Sequence, residues 1–182
     1  ALKDAVSEVA GPAIWWVRDI TLSNTMWGNR APVLNHPRSG VHALGGGIGQ
    51  GLAMGIGAAI GAAATASGKT TFCLAGDGGF ILNLGELATA VQERANLVIV
   101  LMNDKGYGVI KNIQDAQYEG RHVYANILTP DFALVCASVG LAHRLVARVE
   151  EFPAALDAAL ASDGPCLIEV MMPATASTDR IL

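Results

Sequence analysis

Two aspartates stand where this 182-residue chain could hold a metal ion and a phosphate. Asp77 lies in Gly76-Asp77-Gly78-Gly79-Phe80, directly after the apolar run Thr70–Ala75. Asp104 follows 27 positions later in Met102-Asn103-Asp104-Lys105-Gly106-Tyr107-Gly108, directly after Leu97–Met102. Each motif sits where a buried strand ends and the chain turns toward a helix, and ligands of open α/β sheets bind at the carboxyl ends of strands. Two oxygen donors there suit a hard cation such as Mg²⁺, which takes a few protein oxygens and completes its shell with phosphate and water. The glycines let backbone N–H groups approach a phosphate closely. Together these features describe a Mg²⁺–diphosphate site.

The elements around the motifs read as an alternation. A helix over 1–9 leads to a strand over 13–18, and 21–29 reads as a loop opening a short helix. The stretch 33–44 is an irregular connection, and 48–66 a helix stopped by Ser67-Gly68. Beyond the strand at 70–75 come a helix over 82–93, the strand at 97–102, and a helix through about 117. A helix over 130–139, an extended stretch 142–149, a helix over 150–161 and a last strand at 166–171 complete the pattern. Apolar strands without alternating polarity, separated by helices, imply a doubly wound, mainly parallel α/β sheet flanked by helices. Length and the absence of a linker predict a single domain over 1–182.

Composition narrows the class. Only 15% of residues are charged, against roughly 25% in average globular proteins, so part of the surface is expected to be hidden in subunit or domain contacts. The net charge of −4 gives no basic footprint for nucleic acid. Cys73, Cys136 and Cys166, an odd number without metal-like spacing, read as buried free thiols of a reducing, cytoplasmic compartment. The uncharged run 43–68 passes a length test for a membrane span. Its nine glycines and Ala-rich bulk favour instead a buried helix whose small face lies against a backbone or a cofactor, so no membrane partner is expected.

The GDG, the 27-residue interval, the NDKGYG and the preceding Gly-rich segment together resemble the thiamine diphosphate (ThDP) fingerprint of the acetolactate synthase, benzoylformate decarboxylase and pyruvate decarboxylase family. The similarity is to the cofactor-diphosphate domain, in that family the C-terminal third of a longer chain. The resemblance implies ThDP and Mg²⁺ as cofactors, with Asp77, Asp104 and the Gly106 carbonyl as metal ligands. Asp104 stands where the family has Asn, and Asn103 is the alternative ligand if the loop is shifted by one residue. Gly76, Gly78 and Gly79 would face the diphosphate, although a Ser common at the position of Gly79 is missing. Tyr107, Gly108 and Val109 would close over diphosphate and thiazolium. In Gly45-Gly46-Gly47-Ile48-Gly49-Gln50-Gly51, Ile48 matches the apolar wedge that bends the cofactor, and Gly46 the carbonyl accepting from its amino group. The bend brings that amino nitrogen beside the reacting carbon. Asp19-Ile20-Thr21-Leu22-Ser23-Asn24-Thr25-Met26-Trp27 is similar to the first phosphate loop, with Ser23 and Asn24 as contacts.

His36, Arg38 and His42 precede the glycine turn and are weighed as substrate-facing residues against solvated loop positions. No glutamate of the chain fits the family's activating pattern, so no catalytic residue is assigned. That group belongs to a pyrimidine-binding domain or subunit, which makes the chain an excised domain or one half of a larger enzyme. The implied activity is that of a ThDP-dependent decarboxylase or carboligase acting on a 2-oxoacid, acetolactate synthase-like, within a homo-oligomer (dimer or tetramer). Benzoylformate decarboxylase-like chemistry and a non-catalytic ThDP-binding subunit are the alternatives. A Rossmann oxidoreductase is disfavoured because the segment 45–61 contains no strict G-x-G-x-x-G.

Overall fold

A computed structural model describes residues 2–9, 14–29, 32–34, 36–65 and 67–173. Its organising element is a six-stranded, all-parallel sheet in the order β2-β1-β3-β4-β6-β5. The strands are β1 (Ile14–Arg18), β2 (Gly40–His42), β3 (Thr70–Gly76), β4 (Leu97–Asn103), β5 (Ala142–Val146) and β6 (Cys166–Met171). The helices are α1 (Leu2–Val9), α2 (Gln50–Ala64), α3 (Asp77–Phe80), α4 (Glu86–Gln92), α5 (Gly108–Tyr118), α6 (Phe132–Val139) and α7 (Phe152–Leu160).

Successive strand residues point to opposite faces, and the central strands are apolar on both. On one face Leu97, Ile99 and Leu101 of β4 join Cys73, Ala75 and Leu167 beneath Leu52 and Ile56 of α2, Leu87 of α4, and Phe132 and Cys136 of α6. On the other, Val98, Val100 and Met102 pack with Trp16, Phe72 and Ile168 against Val6 of α1 and Phe152 and Leu156 of α7. Burial on both faces is what a doubly wound parallel sheet requires, as the sequence pattern implied.

The run taken for a buried helix rather than a membrane span is α2. At 15 residues and 1.5 Å per residue it is about 22 Å long, short of the roughly 30 Å hydrocarbon core. Among the described residues no helix is long and apolar enough to cross a membrane. Its small residues permit close approach: a Cβ on Gly55 would stand 3.1 Å from the Cys73 Cβ of β3.

Two stretches differ from expectation. The connection 33–44 contains β2, which pairs in parallel with β1 through Trp16↔Gly40, Val17↔Val41 and Arg18↔His42. The helix expected from Leu82 is preceded by α3, which starts at Asp77 itself, and a 3₁₀ turn Ile81–Asn83 joins it to α4. The tail beyond Pro173 lies outside the described residues.

Candidate functional site

The chain leaves β1 toward β2 on one side, whereas β3 and β4 lie on the other, so the strand order reverses between β1 and β3. A crevice opens at such a switch point. Here it is a cavity of about 420 Å³ lined by Thr21 and Ser23 after β1, Gly76–Gly79 at the end of β3, and Asp104 and Gly106–Val109 after β4, with Gly46 and Ile48 from the glycine turn. A volume of this size lies within the 300–1,000 Å³ range of ligand sites.

Asp77 is 1% exposed, and its Oδ1 accepts from the Gly78 N–H at 2.8 Å. Its Oδ2 is buried with no hydrogen-bond partner among the described atoms. Burial first, and then the charge of Asp104, push this carboxyl from 3.8 up to about 7, while backbone N–H groups, Gly78's foremost, pull the other way. A buried carboxylate oxygen lacking a proton donor, facing a second carboxylate, is costly unless a cation joins them. The donor set therefore fits a hard divalent ion.

The pleat of β4 sets Asn103 and Asp104 apart. Asn103 shares a face with Ile99 and Leu101, is 2% exposed, and donates from Nδ2 to Glu169 Oε1 at 2.6 Å. Asp104, one residue on, lines the cavity. Beyond it the chain is clamped by the segment 125–127: Tyr107 N–H donates to Ala125 O at 2.8 Å, and Ile127 N–H to Lys105 O at 3.3 Å. Gly106 pairs with Asn126 between those two bonds. At such a non-hydrogen-bonded pair the residue's own N–H and C=O are not used by the ladder. The ladder thus leaves the Gly106 carbonyl unused, in a residue that lines the cavity. Lys105 takes φ +55°, a left-handed conformation costing a non-glycine residue about 1–2 kcal/mol.

The glycines are required by contact. A Cβ on Gly78 would come within 2.5 Å of the Tyr107 ring, and one on Gly79 within 2.9 Å of the Gly49 amide nitrogen. The Gly79 side of α3 thus packs on the glycine turn, leaving no room for the Ser common at that position. The turn itself is held from three directions. Asp19 accepts from Gly49 N–H at 3.0 Å and Gly51 N–H at 3.1 Å, Gln50 bridges Leu44 and Gly47, and Asn83 donates to Gly49 O at 2.6 Å. Burial raises the Asp19 carboxyl, opposed by the N–H groups of Ile20, Gly51 and Gly49. Gly45, Gly46 and Gly49 all have positive φ.

Ser23, Gly46, Ile48, Gly76, Asp77, Gly78, Gly79, Asp104, Gly106, Tyr107, Gly108 and Val109 thus meet in one cavity. Asn24 does not. It opens a turn of π-helix over Asn24–Gly28, is buried, and has its Oδ1 against Gly28. Of the two, Ser23 is accordingly expected to contact the ThDP that the sequence resemblance implies: Ser23→Ala should weaken its binding severalfold, and Asn24→Ala should lower the melting temperature while leaving affinity nearly unchanged. Titration calorimetry on the two variants checks the split. His36, Arg38 and His42 are exposed and none lines the cavity.

Sequence reasoning missed Asp19 as the anchor of the glycine turn, although an acidic residue directly after a buried strand repeats the signal that singled out Asp77. It also missed the apolar wall of Ile20, Leu22, Met102, Ile110, Met172 and Pro173. Cys73, Cys136 and Cys166 are buried free thiols, as expected.

The family model described as "Thiamine pyrophosphate enzyme, C-terminal TPP binding domain" matches residues 23–170. The large subunit of acetolactate synthase isozyme 2 from Escherichia coli K12 is 32% identical over 102 residues, covering 56% of this chain and 19% of that protein. Benzoylformate decarboxylase from Polynucleobacter necessarius superposes with a TM-score of 0.86 at 20% identity, over 96% of this chain and 33% of the other. The ThDP-dependent 4-hydroxybenzoylformate decarboxylase of Rhodococcus jostii RHA1 gives 0.82 at 27% identity, over 94% and 32%. The chain spans about a fifth of that curated relative and a third of those solved structures.

Proposed function

We propose, from the premise that this chain belongs to the thiamine pyrophosphate enzymes as their C-terminal TPP binding domain, that its cavity holds ThDP through a Mg²⁺ ion and serves a decarboxylase or carboligase of 2-oxoacids. The observation that carries the metal is the buried, partnerless Oδ2 of Asp77 facing Asp104. Asp77, Asp104 and the Gly106 carbonyl would hold the ion. The cofactor, when bound, supplies the carbon nucleophile and electron sink for 2-oxoacid chemistry.

The chain's own residues bind, orient and exclude water. The N–H groups of Gly78 and Gly79 open α3 at the end of β3, where the diphosphate would lie. Ser23 offers a hydroxyl from the loop after β1, and it makes no capping bond that would occupy it. Ile48 stands at the lip of the cavity, 37% exposed, suited to a wedge against a bent ligand. The turn carrying it is held by bonds within the chain, from Asp19, Gln50 and Asn83, which lowers the ordering cost of binding.

The general acid for the pyrimidine is assigned to a separate glutamate-bearing domain or subunit, and the active site to a homo-oligomer built with it. Acetolactate synthase-like carboligation is the leading reading because acetolactate synthase subunits recur among the sequence relatives; benzoylformate decarboxylase-like chemistry is supported by the shape of the domain.

The test is the melting temperature with ThDP and Mg²⁺, each alone and together. Ligand at 100 times its dissociation constant adds about 2.7 kcal/mol. The expected result is a rise that needs both components; the same rise with ThDP plus chelator would overturn the metal assignment.

A further inference from the structure

We propose that Glu169 is a positioning residue for the metal-bearing turn, acting through Asn103; the inference rests on the metal reading above. Three buried or nearly buried polar side chains form a chain across one face of three neighbouring strands, running from His143 of β5 through Glu169 of β6 to Asn103 at the end of β4. Glu169 of β6 is 7% exposed, its Oε1 accepts from Asn103 Nδ2 at 2.6 Å, and its Oε2 meets His143 Nε2 of β5 at 2.9 Å. A carboxylate only accepts, so the His143 Nε2 facing it carries the proton. Asn103 then uses its other side-chain atom: Oδ1 accepts from the Lys105 N–H at 3.2 Å. Its backbone carbonyl accepts from Met172 N–H at 2.8 Å.

Asn103 is thereby held at both ends, and what it holds is the turn that aims the metal ligands. Lys105, between Asp104 and Gly106, has the left-handed backbone that a lysine does not adopt unaided. The Asn103 oxygen closes an Asx-type turn over it. Glu169 fixes which way the Asn103 amide faces, with its nitrogen toward the sheet interior and its oxygen toward Lys105. With an apolar residue at 169, the amide loses the acceptor that sets this orientation. A carboxylate buried beside Leu101 of β4 and near the thiol of Cys136 has no packing rationale. Its charge is felt there: the Cys136 thiol is pushed up to about 12, chiefly by burial and next by Glu169. A role in orienting Asn103 accounts for it.

The probe is Mg²⁺ itself, titrated into the full chain at fixed ThDP with the thermal shift as readout. Groups that orient metal ligands typically change affinity 10–100-fold, so Glu169→Met is expected to raise the half-saturating Mg²⁺ at least tenfold. Saturating Mg²⁺ should restore the ThDP shift. Glu169→Gln, whose carbonyl can still accept from Asn103, should stay within about threefold of the parent. A merely structural residue would lower the metal-free melting temperature and leave the Mg²⁺ midpoint in place. An unmoved midpoint in Glu169→Met, or an equal shift in the Gln variant, overturns the inference. Should the Met variant not melt cooperatively, Asn103→Ala takes its place with the same tenfold expectation and the same overturning result. If the parent chain shows no Mg²⁺-dependent shift, it is the metal reading that fails.

Discussion

Replacing Asp77 with alanine is expected to abolish Mg²⁺-dependent ThDP binding while leaving the fold in place. The side chain lies at the start of α3, where its carboxylate is buried without a partner for Oδ2 and beside the like charge of Asp104. Nothing in the core depends on it; what is lost is the bond from the Gly78 N–H and the pull of the Lys105 and Gly106 N–H groups. At ThDP one hundredfold above the parent's dissociation constant, the gain of about 2.7 kcal/mol should vanish, and the metal-free melting temperature should hold or rise. Asp77→Asn sharpens the test through pH. Because the carboxyl is raised from 3.8 to about 7 in the folded chain, the folded state binds the proton more tightly than the unfolded one. Stability is then complete below pH 3.8 and declines as pH rises through about 7. Without cofactor, the parent should melt higher at pH 5 than at pH 8, and the Asn variant should lose most of that difference. Parallel pH profiles for the two proteins would mean that Asp77 is not held in this state.

Gly79→Ala should be nearly as damaging, for a steric reason. Its Cβ would stand 2.9 Å from the backbone nitrogen of Gly49 and 3.1 Å from Asp19 Oδ2. Neither is the loose end of a flexible side chain. Overpacking of this kind costs typically 1–3 kcal/mol, and every 1.4 kcal/mol that falls on the site rather than the fold weakens binding about tenfold. The glycine turn, which carries Gly46 and Ile48, is the part that would have to move. Gly57→Ala in α2 is the control. A Cβ there meets nothing within 4 Å, and a glycine removed from a helix interior adds roughly 0.5–1 kcal/mol. Denaturant melts with and without Mg²⁺ and ThDP should show opposite signs of stability change for the two alanines. A Gly79→Ala protein as stable as the parent, with unchanged affinity, would show that the turn yields freely.

The layers of this fold were legible because β3, β4 and β6 are buried on both faces and read as predominantly apolar runs, β6 interrupted by Glu169 alone. β2 was not: three residues, with Val41 and His42 exposed, give no period to detect. α3 escaped because a helical turn written Asp-Gly-Gly-Phe contradicts propensity. It persists because it is buried between Tyr107 and the glycine turn, so tertiary contact overrides local preference. The separate placement of Asn103 and Asp104 was within reach. Alternation along β4 assigns Asn103 to the face of Ile99 and Leu101, which leaves Asp104 for the strand's end. The partnership of Asn103 with Glu169 was not legible, since two residues 66 positions apart meet only through the register that sets Leu101 beside Glu169. Asn24 shows the converse limit. A polar residue beside Ser23 reads equally well as a ligand contact, and only the π-turn decides that it faces Gly28.

The two margins of the sheet carry one more consequence. Unpaired strand edges invite further strands, from neighbouring molecules as readily as from elsewhere. One margin here is β2, three residues long, and the other is β5, whose outer stretch carries His143 and Arg144. A foreign strand would find only a few consecutive backbone groups on the first side and a positive side chain on the second. This chain therefore guards against edge-to-edge association by brevity at one margin and by charge at the other.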